Sequence, residues 1–266
     1  MANFDLSVDS LSHVGMKRDN NEDAVASIAA KGIAILADGM GGYKAGEVAS
    51  AIAVATLLEQ LEQAADNSPT ASPRDVIAAA VDMANHAIFS SAQDNQKYKN
   101  MGTTLVVFWL NNGTIHYAHV GDSRLYRLRG SVIEQITRDH SLVNELIEKG
   151  FYTEEEAEHA DNKNVITRAM GVKATVEADI NHTDAVDGDI YLMCSDGLSD
   201  LVSDDTIADI LNEHRDTPHN ACTALVDLAN NNGGKDNVSV MVAKVSEQQP
   251  APPSKIMSAL NWLFKH

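Results

Sequence analysis

Three Asp-Gly or Asp-Asn corners, each set against an apolar strand-like run, carry the chemistry this chain can do. Asp38-Gly39-Met40-Gly41-Gly42 follows Ile33-Ala34-Ile35-Leu36-Ala37, Asp196-Gly197 follows Ile190-Tyr191-Leu192-Met193-Cys194-Ser195, and Asp236-Asn237 precedes Val238-Ser239-Val240-Met241-Val242. A carboxylate at the end of a buried strand is held on a rigid element yet projects past the sheet edge, where several can converge on a hard cation. Two further acidic corners extend the pattern: Glu22-Asp23 opens the run Ala24 to Ile28, and Asp122 sits in the turn Gly121-Asp122-Ser123-Arg124. Asp and Gly are ordinary turn residues, so any single corner reads as a solvated turn. The shared arrangement of apolar strand plus terminal carboxylate is what sets these corners apart as a group.

Every candidate ligand is a carboxylate or a backbone carbonyl, with no His or Cys at the equivalent strand ends, so magnesium or manganese is expected over zinc or copper. Asp38 is suited to bridge two ions, and the Gly39 carbonyl has no side chain in its way. Such a pair lowers the pKa of a shared water and clamps a phosphoryl group for in-line attack, which points to hydrolysis of a phosphate ester. Arg18, just upstream of Glu22-Asp23, offers a planar donor that could hold a phosphate bidentately; the competing reading is a surface arginine. The glycines at 39–42 lack the Lys-Ser/Thr of a P-loop and the spacing of a dinucleotide fingerprint.

These groups need a frame, and 266 residues with 44% hydrophobic content supply a sizeable core. Phe4, Leu6 and Val8 alternate as a strand, and Ala24–Ala30 and Ile33–Ala37 form a hairpin through Lys31-Gly32. Helical spacing follows from Gly46, and Ser72-Pro73-Arg74-Asp75 starts a second helix with a serine cap and a first-turn proline. Strands are expected at Thr103–Leu110, Thr114–Val120 and Arg124–Arg129, then a charged, mostly helical insert over Asp139–Gly171. Strands near Thr175–His182 and Asp189–Ser195, helices near Asp204–Glu213 and Asn220–Asn231, and a strand Asn237–Val245 complete the pattern. Paired helices between blocks of hairpin-linked strands predict an α+β fold of two antiparallel sheets face to face, flanked by helices.

The formal net charge of −18 argues against general nucleic-acid binding and fits a site filled by cations. Cys194 and Cys222 are too few for a disulfide framework or a four-thiolate zinc site. No signal peptide or membrane-spanning run is apparent, so a cytoplasmic monomer is the default expectation.

In order along the chain, Arg18-Asp19-Asn20-Asn21-Glu22-Asp23, Asp38-Gly39-Met40-Gly41-Gly42, Gly102-Thr103-Thr104, Gly121-Asp122-Ser123-Arg124, Asp139-His140-Ser141, Ser195-Asp196-Gly197 and Asp236-Asn237 resemble the motifs of the metal-dependent type-2C serine/threonine protein phosphatases. The resemblance runs from Asp9 to about Val245 and implies an α-β-β-α sandwich. It implies a binuclear Mn2+ or Mg2+ centre in which Asp38 bridges, Asp196 and Asp236 hold the first ion and the Gly39 carbonyl the second, while Glu22 and Asp23 orient waters on the ions. Asp122 and Asp196 match the residues that hold a third ion in bacterial members. Arg18 matches the phosphate-binding arginine, and the insert at 139–171 matches the flap that shapes access for protein substrates. The implied reaction is hydrolysis of phosphoserine and phosphothreonine in phosphorylated proteins by a metal-activated water, opposing a Ser/Thr kinase, as in stand-alone bacterial members.

Two positions depart from the family pattern. Met40 stands where animal members often carry a histidine proposed as general acid, and Tyr43 stands where many bacterial relatives place a histidine. His140 reads as a structural hydrogen-bonding residue before it reads as an acid or ligand. A catalytically silent phosphoprotein-binding module and a small-molecule phosphoesterase remain the alternative functions. The phosphatase domain is expected over 1–247, followed by a Pro-rich linker at 248–254 and an amphipathic tail helix at 255–266. That tail either packs on its own domain or docks to a partner protein or a membrane surface.

Overall fold

The computed structural model describes residues 4–42, 45–67, 71–153, 156 and 165–248. In chain order its strands are β1 (Phe4–His13), β2 (Asp23–Ile28), β3 (Ile33–Met40), β4 (Gly102–Thr103), β5 (Leu105–Asn111), β6 (Thr114–Val120), β7 (Arg124–Arg129), β8 (Val132–Gln135), β9 (Asp179–Asp184), β10 (Ile190–Cys194) and β11 (Val238–Glu247). The helices are α1 (Ala45–Asn67), α2 (Pro73–Asp94), α3 (Leu142–Glu148), α4 (Asp196–Ser199), α5 (Asp204–Glu213) and α6 (Pro218–Asn231). One sheet has the order β2-β3-β5-β6-β9 with β4 added to β3, the other β1-β11-β10-β7-β8. Their strand pairs are antiparallel, as the hairpin-linked sequence pattern predicts.

Two-residue alternation sorts the side chains into layers. On β3, Ala34 and Leu36 face the second sheet, packing with Phe108, Tyr191, Met193 and Met241. Ile33, Ile35 and Ala37 face the other way, onto α1 and α2. On β11, Val238, Val240 and Val242 turn outward to α5 and α6. Strands covered on both faces read as continuous apolar runs, which is why Leu105 to Leu110 shows no polar break. The result is the expected α-β-β-α sandwich.

α1 begins with small residues because its first turn lies directly on the end of β3. A Cβ on Gly39 would meet the Gly46 carbonyl oxygen at 2.2 Å, and one on Gly46 would meet Gly39 at 2.7 Å. α2 starts as its sequence predicts, with the Ser72 side chain accepting from the Asp75 amide and proline in the first turn.

Three segments differ from expectation. The strand expected at Thr175–His182 begins only at Asp179, because Asn85 on α2 donates to the carbonyls of Lys173 and Ala174 and accepts from the Gly171 amide, drawing this stretch onto the helix. β8 was not anticipated; it is an edge strand with alternating exposure and a short apolar content, joined to β7 through Gly130 at φ 62. Within the insert at 139–171, the described residues hold α3 and a helical Glu156, and 165–171 runs in turns and isolated bridges, while 154–155 and 157–164 lie outside the described residues.

Phe108 is fully buried between the sheets, its ring centroid 5.1 Å from that of Tyr191. Phe108→Ala is expected to lower unfolding stability by about 3–5 kcal/mol, read from urea denaturation, because the void lies between two paired sheets that cannot collapse into it.

Candidate metal centre

The strand ends bring the sequence-predicted carboxylates to one end of the sandwich. Asp23 and Asp38 are direct cross-strand partners in the β2–β3 ladder. Asp196 opens α4 straight after β10, Asp236 lies two residues ahead of β11, and Asp122 sits where the chain crosses from β6 in one sheet to β7 in the other. Asp38 feels the charges of Asp23, Asp196, Asp122 and Asp236, and Asp236 also acts on Glu22, so all six acidic residues belong to one electrostatic group.

The mounts are polar and specific. The Asp38 amide donates to Thr104 Oγ1 at 2.9 Å, its carbonyl accepts from the Thr104 amide at 2.8 Å, and Thr104 and Ser123 hydroxyls meet at 2.7 Å. Ser195 Oγ donates to Asp23 Oδ2 at 3.0 Å and accepts from the Ser239 amide at 3.0 Å, so it joins the two sheets at the carboxylates. Asn237 accepts from the Glu22 amide at 2.8 Å and donates to the carbonyls of Val14 and Asn20, each at 2.9 Å. A Cβ on Gly197 would strike the Asn237 carbonyl oxygen at 1.9 Å, so glycine is what lets Asp196 and Asp236 approach. Thr104, Ser195 and Asn237 lie within the recognised motifs, but the sequence reading gave them no role. Their signal was polarity at the ends of otherwise apolar runs.

The group lacks enough positive charge. Burial first, then repulsion from Asp23, Asp196, Asp122 and Asp236, holds Asp38 well above the usual carboxylate range. Burial and then Asp122 push Asp196 up to about 7, and burial and then Asp139 push Asp122 up to about 6. Glu22 and Asp23 are also raised, chiefly by burial. Oδ1 of Asp23, Asp122 and Asp196 is buried without a hydrogen-bond partner. Buried oxygens of this kind are costly unless paired or bound to a metal. Oxygen-only donors, several of them orphaned, fit hard divalent cations such as Mg2+ and Mn2+.

Family comparison agrees with this site. A family model described as protein phosphatase 2C matches residues 12–228. The chain belongs to the protein phosphatase 2C family. Protein phosphatase PhpP of Streptococcus pneumoniae is 38% identical over 248 residues, covering 91% of this chain and 99% of that one. The crystal structure of the Mycobacterium tuberculosis serine/threonine phosphatase PstP/Ppp superimposes with a TM-score of 0.83 at 38% identity, covering 92% of this chain and 100% of that one. The catalytic domain of PstP in complex with two manganese ions gives a TM-score of 0.81 at 38% identity, with 92% and 100% coverage.

Within this type-2C fold, two residues assigned different roles are joined to each other. Arg18 Nη2 lies 2.6 Å from Asp236 Oδ2, so the expected phosphate-binding guanidinium is paired with an expected metal ligand. Met40 ends β3, and Tyr43 lies outside the described residues. The Asp139-His140-Ser141 motif is structural. Arg124 grips the Asp139 carboxylate with Nε and Nη2, at 2.8 Å for the shortest contact, and Ser141 caps α3. His140 accepts the Gly121 amide at Nδ1, while its own backbone amide donates to the Gly121 carbonyl at 2.9 Å.

A second set of ligand-type atoms, from His119, His140 and Asp179, lies within 4.8 Å. Its hydrogen bonds argue against a cation there. With Nδ1 accepting, neutral His140 carries its proton on Nε2, and the Arg168 guanidinium sits 3.4 Å from that nitrogen and 3.0 Å from Asp179. The carboxylate cluster is the better cation site.

Raised carboxyl pKa values make the metal-free fold hold more protons than the unfolded chain from about pH 4, the ordinary Asp value, to about pH 7. Stability of the metal-free protein therefore falls as pH rises through that window, and a cation that binds the deprotonated carboxylates opposes the fall. The gain in melting temperature on adding Mn2+ is expected to be larger near pH 8 than near pH 6. Equal gains in thermal denaturation at both would count against the cluster as the cation site.

Proposed function

We propose that this chain hydrolyses phosphoserine and phosphothreonine in proteins at a divalent-metal centre formed by Glu22, Asp23, Asp38, Gly39, Asp122, Asp196 and Asp236. The observation that carries this reading is the convergence of these carboxylates, with orphaned buried oxygens, beside Arg18 at one end of the sandwich. When bound, two Mn2+ or Mg2+ ions supply Lewis acidity, activating a water and neutralising phosphoryl charge. Asp38 would be shared between the two, Asp196 and Asp236 would hold one, and the Gly39 carbonyl would serve the other. Glu22 and Asp23 would position water around them, and Asp122 with Asp196 would provide a third position. The two manganese ions in the PstP catalytic domain support the binuclear part of this reading.

Arg18 orients the substrate phosphate: Asp236 takes only Nη2, and the remaining guanidinium N–H donors face a phosphoryl oxygen without breaking that pair. Met40 is a thioether with no proton to give, so it does not serve as the acid that a leaving serine or threonine oxygen needs.

The proposal extends to biology that the relatives make reasonable. The chain opposes a Ser/Thr kinase, acting in the cytoplasm as a monomer with one catalytic domain over 1–247 and a linker at 248–254. No helix among the described residues is long and apolar enough to cross a membrane. The amphipathic segment 255–266 lies outside the described residues; we assign it to docking on a partner protein or a membrane surface. Removing it is then expected to leave turnover of a small phosphate ester unchanged, whereas loss of the folded domain would mean that it packs on its own core.

Phosphate release from a phosphothreonine peptide, with Mn2+, Mg2+ or excess chelator, tests the central reading. Turnover should require the metal. Asp38→Asn and Asp196→Asn should each reduce kcat by about a hundredfold or more, since each removes part of a charge clamp worth several kcal/mol in the transition state. They should also weaken Mn2+ binding measured by calorimetry. A folded, metal-loaded wild type that releases no phosphate would favour a silent binding module.

A further inference from the structure

Beside the carboxylate cluster lies a groove of about 420 Å³ that the hydrolytic chemistry does not use. Met40, two residues beyond Asp38, forms one wall, and residues 166–177, running from the returning end of the flap into the stretch before β9, form the other. Gly102 keeps it open. A Cβ there would meet Val172 Cγ2 at 2.9 Å and Met40 Cγ at 3.5 Å, so a side chain at 102 would wedge between the two walls. Val172 is 51% exposed, and the half-buried Val176 continues the apolar lining.

The charged groups in the lining are Arg168, Lys173 and Glu177. Arg168 is engaged by Asp179 at 3.0 Å. Lys173 joins no ion pair among the described residues, and its backbone is fixed by Asn85 through its carbonyl. With Arg168 held by Asp179, the remaining charges of the lining are Lys173 and Glu177, and the exposed Lys173 ammonium is open to an acidic partner. An apolar trough with an unpaired ammonium at its side is complementary to a peptide carrying one apolar and one acidic side chain.

We propose that this groove receives the residues flanking the phosphorylated serine or threonine of a protein substrate, seating an apolar side chain between Met40 and Val172 and an acidic side chain against Lys173. The inference rests on the phosphatase reading, and it converts Met40 from a missing acid into a specificity element. Met40 stands two residues beyond Asp38 on β3, about 7 Å along a strand, and extended peptide rises about 3.4 Å per residue, so with the phosphoryl group at the carboxylates a side chain one to three residues away reaches the groove.

The test uses the full chain with Mn2+ and phosphothreonine peptides that vary only at the three positions on either side of the phosphoresidue. Wild-type protein should prefer Leu over Ala at one of these positions by about tenfold in kcat/KM, as expected for an apolar side chain entering an apolar slot. It should prefer Glu over Lys at another by about fivefold, shrinking as salt is raised. Lys173→Glu should remove or invert the Glu-over-Lys ratio, and Val172→Ser should reduce the Leu-over-Ala ratio. These are ratios within one protein sample, so loss of folded or metal-loaded enzyme does not move them. Ratios unchanged within about twofold in both variants would overturn the groove while leaving the hydrolase intact. Failure of wild type to turn over even p-nitrophenyl phosphate would instead overturn the phosphatase reading beneath it.

Discussion

Mutual repulsion among carboxylates at the meeting ends of two sheets is the constraint on which the rest of this structure depends. Burial first, and then the charge of neighbouring carboxylates, holds Asp38, Asp122 and Asp196 above the usual carboxylate range, and the fold keeps them together against both. Holding like charges together requires a frame stiffer than the force between them. The two sheets provide it because the strands that deliver Asp38, Asp196 and Asp236 are anchored by buried, mainly apolar runs: Ile33 to Ala37, Ile190 to Cys194 and Val238 to Val242. The instability created at one end is balanced by burial along the length of the strands, and a hard cation relieves it.

Stiff strands alone would not place the ends within reach of a common ion. The closing contacts are short, polar and local. Ser195 spans Asp23 on one sheet and Ser239 on the other, and Asn237 gathers three separate loop groups through both its amide nitrogen and its oxygen. Glycine acts where backbone must touch backbone, at Gly39 against Gly46 and at Gly197 against Asn237. These positions bear no charge and perform no step, yet they fix the spacing on which any shared cation would depend.

The layered fold was legible in the sequence because its signals were local and redundant. Runs without a polar break, such as Leu105 to Leu110, indicated strands covered on both faces, and Ser72-Pro73 marked a helix start that the structure reproduces. The carboxylates were legible as a group since each ends an apolar run. What stayed hidden depends on contacts between distant segments. Nothing near Thr175 announces that Asn85, about ninety residues earlier, captures the carbonyls of Lys173 and Ala174. β8 escaped notice because an edge strand half exposed to water lacks the apolar content that marks its neighbours. The pairing of Arg18 with Asp236, and the tethering role of Asn237, likewise arise only once the chain has brought residues more than two hundred positions apart together.

His140 shows how one polar contact carries the geometry of the centre outward to the flap. Its ring accepts the Gly121 amide, one residue before Asp122, and its carbonyl accepts the Thr167 amide at the groove. Burial first, then His119 and Arg168, push its pKa down to about 4. It therefore stays neutral at ordinary pH and keeps a lone pair on Nδ1 for Gly121. A charged imidazolium would place a proton where the amide already donates, and the clasp would open. Depression of this pKa thus follows first from burial, then from His119, stacked on it with centroids 4.5 Å apart, and from the nearby Arg168 guanidinium, whose own charge is held by Asp179. The same arginine lines the groove, so that wall and the loop that presents Asp122 meet at His140.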